Sequence, residues 1–178
     1  MKEKAFDRLD VVMKFRDSLA PETDRGCALM AAAYLDSQLD LLIRRAFINK
    51  PRVADSLLGQ SKPLGTFSSR IDLAHALGII PILAYRDLHL IRKIRNDFGH
   101  DPTPITFDTP AIAARCSELV YTMHEKQAQS KRRFVNCVIG MLAIIHGAID
   151  KREHPKLEGD IPFSDKMKSL LREKVNII

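Results

Sequence analysis

From Phe134 to Ile149 the chain reads FVNCVIGMLAIIHGAI, which is its longest apolar run. The run is shorter than the about 20 residues that a transmembrane helix needs. It also contains Asn136 and His146, two polar side chains that a lipid-facing helix disfavours. We therefore predict a buried central helix of a globular protein, extending from about Ser130 to Lys151, and no membrane span.

The sequence on both sides of this run carries signals for further helices. Thr23 or Asp24 can cap one helix, because a side-chain oxygen there accepts from a free backbone amide. Gly78 and Gly99 are each expected to end a helix, since glycine tolerates the left-handed conformation. We predict helices up to residue 19, from 23 or 24 to about 49, 53–58, from 66 or 68 to 77, 81–98, from 109 or 110 to about 126, 130–151, and 164 to about 176.

No segment shows the alternation of apolar and polar residues that a strand requires. Apolar residues make up 46% of the 178-residue chain, which is enough for a real core. The predicted fold is an all-α, single-domain multi-helix bundle of six to eight helices without a sheet. It spans residues 1–178, with a core at about 4–150 and a C-terminal loop and short helix at 151–178.

Composition excludes several classes of function. The net charge of +6 allows nucleic acid as a partner, but the basic residues are scattered and acids lie beside them. The charged start of the chain is unlike a signal peptide, and the three cysteines lack metal-like spacing, so we expect free thiols in a reducing cytoplasm. The histidines form no metal-ligand pattern, and we predict neither metal nor cofactor.

The segment IDLAHALGIIPILAYRDLHLIRKI imitates a DNA-binding helix-turn-helix. Ala74 is the small residue where two helices would cross, and Gly78 is the turn glycine. A recognition helix must present polar side chains to the major groove, whereas this one begins with Ile82, Leu83 and Tyr85. We expect these side chains to be buried in the bundle, which makes direct specific DNA binding doubtful.

The segment RNDFGH, from Arg95 to His100, fits the Arg-x4-His pattern of HEPN-type ribonucleases, which it resembles at this point. His100 would take the proton of a ribose 2′-hydroxyl, and Arg95 would stabilise charge on the phosphoryl oxygens. Asn96 would orient either group, and no metal is needed. In that fold two copies usually meet across a dimer, so a homodimer is one partner to consider.

A structural or ligand-binding role is the interpretation that we favour for the same residues. Cations are stabilised at a helix C-terminus, where His100 can bond a last carbonyl and Arg95 can pair with a nearby or distant acid.

Two further arginines, Arg25 and Arg70, stand at predicted helix starts, in TDRGCA and TFSSRIDLA. They can hold an anion there, or either can form an internal ion pair with Asp36 or Asp72. Because each of these polar groups is costly to bury alone, we predict that they approach one another in one binding site. Its residues are Arg25, Arg70, Arg95, Asn96 and His100.

Four stretches in the same order resemble the mannitol operon repressor family: TDRGCALMAAAYLDSQLDLLI, LLGQSKPLGTFSSRIDLAHALGII, DLHLIRKIRNDFGHD and ITFDTPAIAARCSEL. They extend from about Asp24 to Leu119, and the resemblance thins after Met123. The resemblance implies a helical bacterial regulator that acts negatively on mannitol uptake and use. It also implies a protein partner, such as another regulator or a transport component, because the family is thought to lack a standard DNA-binding motif. It supplies no catalytic residues.

Overall fold

The computed structural model describes residues 2–122, 129–159 and 164–175, which contain eight α-helices and no strand. The all-α prediction is therefore confirmed for the described part of the chain, whereas the single-domain organisation stays a prediction. The helices are α1 (Lys2–Leu19), α2 (Asp24–Ala46), α3 (Pro51–Leu58), α4 (Phe67–Ala76), α5 (Ile82–His100), α6 (Pro110–Glu118), α7 (Ser130–Asp150) and α8 (Asp165–Val175).

The core forms around α2 and α7, which pack against each other. Helix α7 also contacts α1, α5 and α6, while α4 packs on α2 and α5. Fully buried side chains such as Leu39, Phe134 and Leu142 fill the centre, as expected for a central helix at 130–151. By length and composition α2 and α7 are apolar enough to cross a membrane, but core helices of globular bundles pass the same test.

The turn between α4 and α5 follows the predicted signals closely. The Thr66 side chain accepts from the Ser69 amide, and the Ser69 hydroxyl accepts from the Thr66 amide, so the start of α4 is capped on both sides. At its end, the Gly78 amide donates to the His75 carbonyl and the Ile79 amide to the Ala74 carbonyl. Gly78 has a φ of 64°, which is why glycine ends this helix.

Helix α5 does not end at Gly99, as the sequence suggested. It continues through His100, and the Asp101 amide closes it by donating to the Asp97 carbonyl at 3.0 Å. A methyl group at Gly99 would make an ordinary 3.7 Å contact with Leu29 Cδ2, so neither φ nor space requires glycine there. The prediction was wrong because glycine also occurs inside helices, where it costs only about 1 kcal/mol relative to alanine.

Two other predicted helix ends were too late. Helix α2 ends at Ala46 because the backbone of Phe47 is extended and its amide donates to the Ile43 and Arg44 carbonyls. Helix α6 ends at Glu118 instead of about Lys126, a residue outside the described ones. Arg133 of α7 donates to the Cys116, Ser117 and Leu119 carbonyls and thereby fixes the end of α6. The predicted end of the last helix, Asn176, also lies outside the described residues.

The start of α5 differs from expectation in its exposure. Ile82 and Leu83 are 54% and 39% exposed rather than buried, while Tyr85 is half-buried. Burial on this helix falls instead on the side that carries Ala84, Leu88 and Ile91. Leu77, which lies in the same turn between α4 and α5, is 45% exposed, and we name Leu77, Ile82 and Leu83 together the α4–α5 apolar cluster.

Candidate functional site

A cleft of about 610 Å³ lies where the end of α5 meets the following connection and the start of α6. We name it the α5–α6 cleft. Its volume falls within the range of about 300–1,000 Å³ that is usual for small-molecule sites. It is lined by Asn96, Asp97, His100, Asp101, Pro102, Ile105, Thr109, Ala111, Ile112 and Arg115.

Arg95 and His100 do not face the same space. Five helical residues correspond to a rotation of about 140°, whereas Asn96 and His100, four residues apart, share one side of α5. Accordingly, Asn96 and His100 line the cleft and Arg95 does not. Arg95 is exposed and its Nη1 donates to Asn96 Oδ1 at 3.0 Å. His100 is exposed and hydrogen-bonds no described residue, so it is not the packed structural group that a stabilising pair requires.

The charges in the cleft are largely compensated. Arg115 Nη1 donates to Asp97 Oδ2 at 2.7 Å, and both side chains are about one-third exposed. The Asp101 carboxylate accepts from the Thr103 hydroxyl and amide at 2.6 and 2.8 Å. These bonds to Thr103, with a smaller contribution from the charge of Arg25, lower the pKa of Asp101. The carboxylates therefore belong to local networks that hold the wall of the cleft in place.

Arg25 does not line the cleft, but it holds the connection after α5 that forms part of the lining. Its Nη2 donates to the Asp101 and Thr103 carbonyls at 2.8 and 3.1 Å. The neighbouring Asp24 accepts from the Phe107 amide at 2.9 Å and pairs with Lys131 at 3.2 Å. The start of α2 therefore holds the connection between α5 and α6, and Thr23 caps this helix by accepting from the Gly26 amide.

Arg70 lies elsewhere, which corrects the prediction of one common site. It pairs with Asp36 at 2.7 Å and Asp40 at 3.4 Å and donates to the Leu58 carbonyl. Asp36 is eleven residues along α2 from Arg25, or about 16 Å at 1.5 Å per residue. The predicted ion pair with Asp36 is thus present, and Arg70 joins α2, α3 and α4 instead of contributing to the cleft.

Asp87 is a buried charged side chain that was not among the residues predicted from the sequence. It is completely buried and accepts from the amides of Val120 and Tyr121 at 2.9–3.2 Å and from Cys137 Sγ at 3.3 Å. Its contacts are all internal, so its role is to anchor the chain that leaves α6. The signal was available: an aspartate between Ala84 and Leu88 on the buried side of α5.

The three cysteines are free, as predicted, and all three are buried. Burial raises the pKa of Cys27 to about 11 and that of Cys116 to about 12. Burial and the nearby Asp87 charge also raise the pKa of Cys137 well above its ordinary value. At neutral pH these thiols stay protonated, which makes them packing residues and poor nucleophiles.

Within the ranges that the structure describes, no group of three or more histidine, cysteine or acidic side chains is placed to hold a metal.

The fold and the site together define an all-helical bundle with an exposed apolar turn and a polar cleft at one helix end. The mannitol repressor family model, MtlR, matches residues 12–137. The chain belongs to this family.

Individual relatives agree with this assignment. The chain is 28% identical to the mannitol operon repressor of Escherichia coli K12 over 104 residues, which are 56% of this chain and 53% of that protein. The mannitol operon repressor of Escherichia coli O6:H1 (strain CFT073) matches to the same extent. The chain thus spans about half the length of the curated relatives it matches.

A solved structure shares the fold. A chain of the X-ray structure of the MtlR-HPr complex from Escherichia coli superposes with a TM-score of 0.66 at 20% identity. The match covers 78% of this chain and 98% of that one.

Proposed function

We propose that this chain is a cytoplasmic bacterial regulator that acts negatively on mannitol uptake and use through a protein partner, HPr. Family membership supports the regulatory role. The Escherichia coli complex supports HPr as the partner, because a chain with this fold binds it there.

The exposed α4–α5 apolar cluster is the observation that carries this proposal. In a helix-turn-helix protein, the start of the second helix presents hydrogen-bonding side chains to base edges. Here the same position presents Ile82 and Leu83, which have no hydrogen-bonding groups. Exposed apolar side chains grouped at one place are typical of protein interaction sites. The cluster therefore favours a protein surface over a DNA groove.

The ribonuclease alternative has less support from the geometry. A ribonuclease of this kind needs Arg95 and His100 to converge on one phosphate, but only His100 lines the α5–α6 cleft. Arg115, the arginine that lines this cleft, is already paired with Asp97, so it is not free to hold a phosphate. We therefore propose a regulator without enzyme activity.

Replacing Ile82 with aspartate is expected to weaken HPr binding at least about tenfold, since a charge would enter the apolar contact. Titration calorimetry with purified HPr measures the affinity. Val53→Asp is the matched control, because Val53 is 50% exposed on α3, outside the α4–α5 apolar cluster. If wild type, Ile82→Asp and Val53→Asp bind HPr equally strongly, the docking surface does not include the α4–α5 apolar cluster. If wild type does not bind HPr, HPr is not the partner.

A further inference from the structure

The α5–α6 cleft has polar groups that the fold itself does not use. The amide nitrogen of Asn96 donates to no described residue, and the ring nitrogens of His100 bond to none. Both groups lie on one side of α5 and line the cleft. The Thr109 oxygen accepts from the Thr106 amide, and its own proton remains available for an acceptor in the cleft. These three residues therefore offer both hydrogen-bond donors and acceptors to a ligand in the cleft.

Part of the lining is aliphatic: it includes Pro102, Ile105, Ala111 and Ile112, and no Phe, Tyr or Trp side chain is among the lining residues. An aliphatic surface packs well against a carbon chain.

The compensated charges indicate the net charge of a ligand. Asp97 is paired with Arg115 at 2.7 Å, and Asp101 is bonded to Thr103. Asp97 and Arg115 neutralise each other, and the charge of Arg25 lies near the Asp101 carboxylate, so neither an anion nor an organic cation finds an uncompensated opposite charge in the cleft. A neutral ligand with many hydroxyl groups needs no such charge, because each hydroxyl donates and accepts.

From this arrangement we propose that the α5–α6 cleft binds a neutral acyclic polyol. Its hydroxyls bond Asn96, His100 and Thr109, and its carbon chain lies on Pro102 and Ile105, which keep exposed surface in the cleft. This site is separate from the α4–α5 apolar cluster, so the polyol proposal and the HPr proposal can fail independently.

The test is an NMR titration of the ¹⁵N-labelled protein with D-mannitol as the probe. Saturable shifts are expected in the millimolar range for amides around the cleft. Ala111→Phe places a ring at the exposed edge of the cleft and is expected to weaken binding at least about tenfold, as is His100→Ala, which removes hydrogen-bonding groups. Ala114→Phe is the matched control on the same helix, exposed and outside the lining, and should bind like wild type.

The outcomes separate the proposal from its rivals. Saturable binding by wild type and Ala114→Phe, reduced in both cleft variants, supports a polyol site. No saturable shift with wild type, or equal binding by all four proteins, overturns it. D-mannitol 1-phosphate is the second probe: tighter binding of this anion than of D-mannitol also overturns the proposal of a neutral ligand.

Discussion

Replacing Asp87 with alanine is expected to lower the free energy of unfolding by about 3–5 kcal/mol. The substitution leaves the amides of Val120 and Tyr121 without their acceptor in a region where Asp87 itself is completely buried. It also opens a small void beside Cys137. Urea denaturation followed by circular dichroism measures the change.

Asp72→Ala is the matched control for this measurement. Asp72 accepts from Tyr85 and His89 on the outer side of α4 and α5, but its side chain is 55% exposed, so the expected loss is below about 1 kcal/mol. A loss for Asp87→Ala that is no larger than for Asp72→Ala would contradict an anchoring role for Asp87.

Two alanine substitutions in α7 are expected to change stability in opposite directions. A methyl group at Gly140 would lie 2.9 Å from the Tyr121 carbonyl oxygen and 3.2 Å from Tyr121 Cβ, so Gly140→Ala should cost about 1–3 kcal/mol. Gly147 has open space around the same position, and Gly147→Ala should gain up to about 1 kcal/mol from helix propensity.

Thermal unfolding of both variants under one condition gives the comparison. The melting temperature should fall for Gly140→Ala and rise for Gly147→Ala. Equal shifts of the same sign would mean that Tyr121 does not press against α7, and the described path of the chain after α6 would be wrong.

Signals that act within a few residues predicted the fold well. The Thr66 cap and the Gly78 turn each depend on the backbone within a few positions, and each is found where expected. The end of α6 could not be predicted in this way. It depends on Asp87 and Arg133, which are 33 and 16 residues from the atoms they bind, and only the packing of α5 and α7 brings them there.

The residues of the candidate site could be predicted only in part, because local spacing again accounts for some of them and long-range packing for the others. The spacing of Asn96 and His100 follows from one helix and could be derived from the sequence. Whether Arg25 and Arg70 reach them depends on how α2 and α4 pack, which spacing does not specify. Exposure of Ile82 and Leu83 was missed because an apolar side chain at a helix start was assumed to face the core, although much of a folded protein's surface is apolar.

We expect that this chain does not recognise DNA by itself. A gel-shift titration of the purified chain against a mannitol-operon promoter at physiological salt tests it most directly. We predict no specific complex: any shift at low salt should disappear as salt rises and as competitor DNA is added, because electrostatic contacts weaken with counterion concentration. Tight binding that survives both salt and excess competitor would contradict the claim.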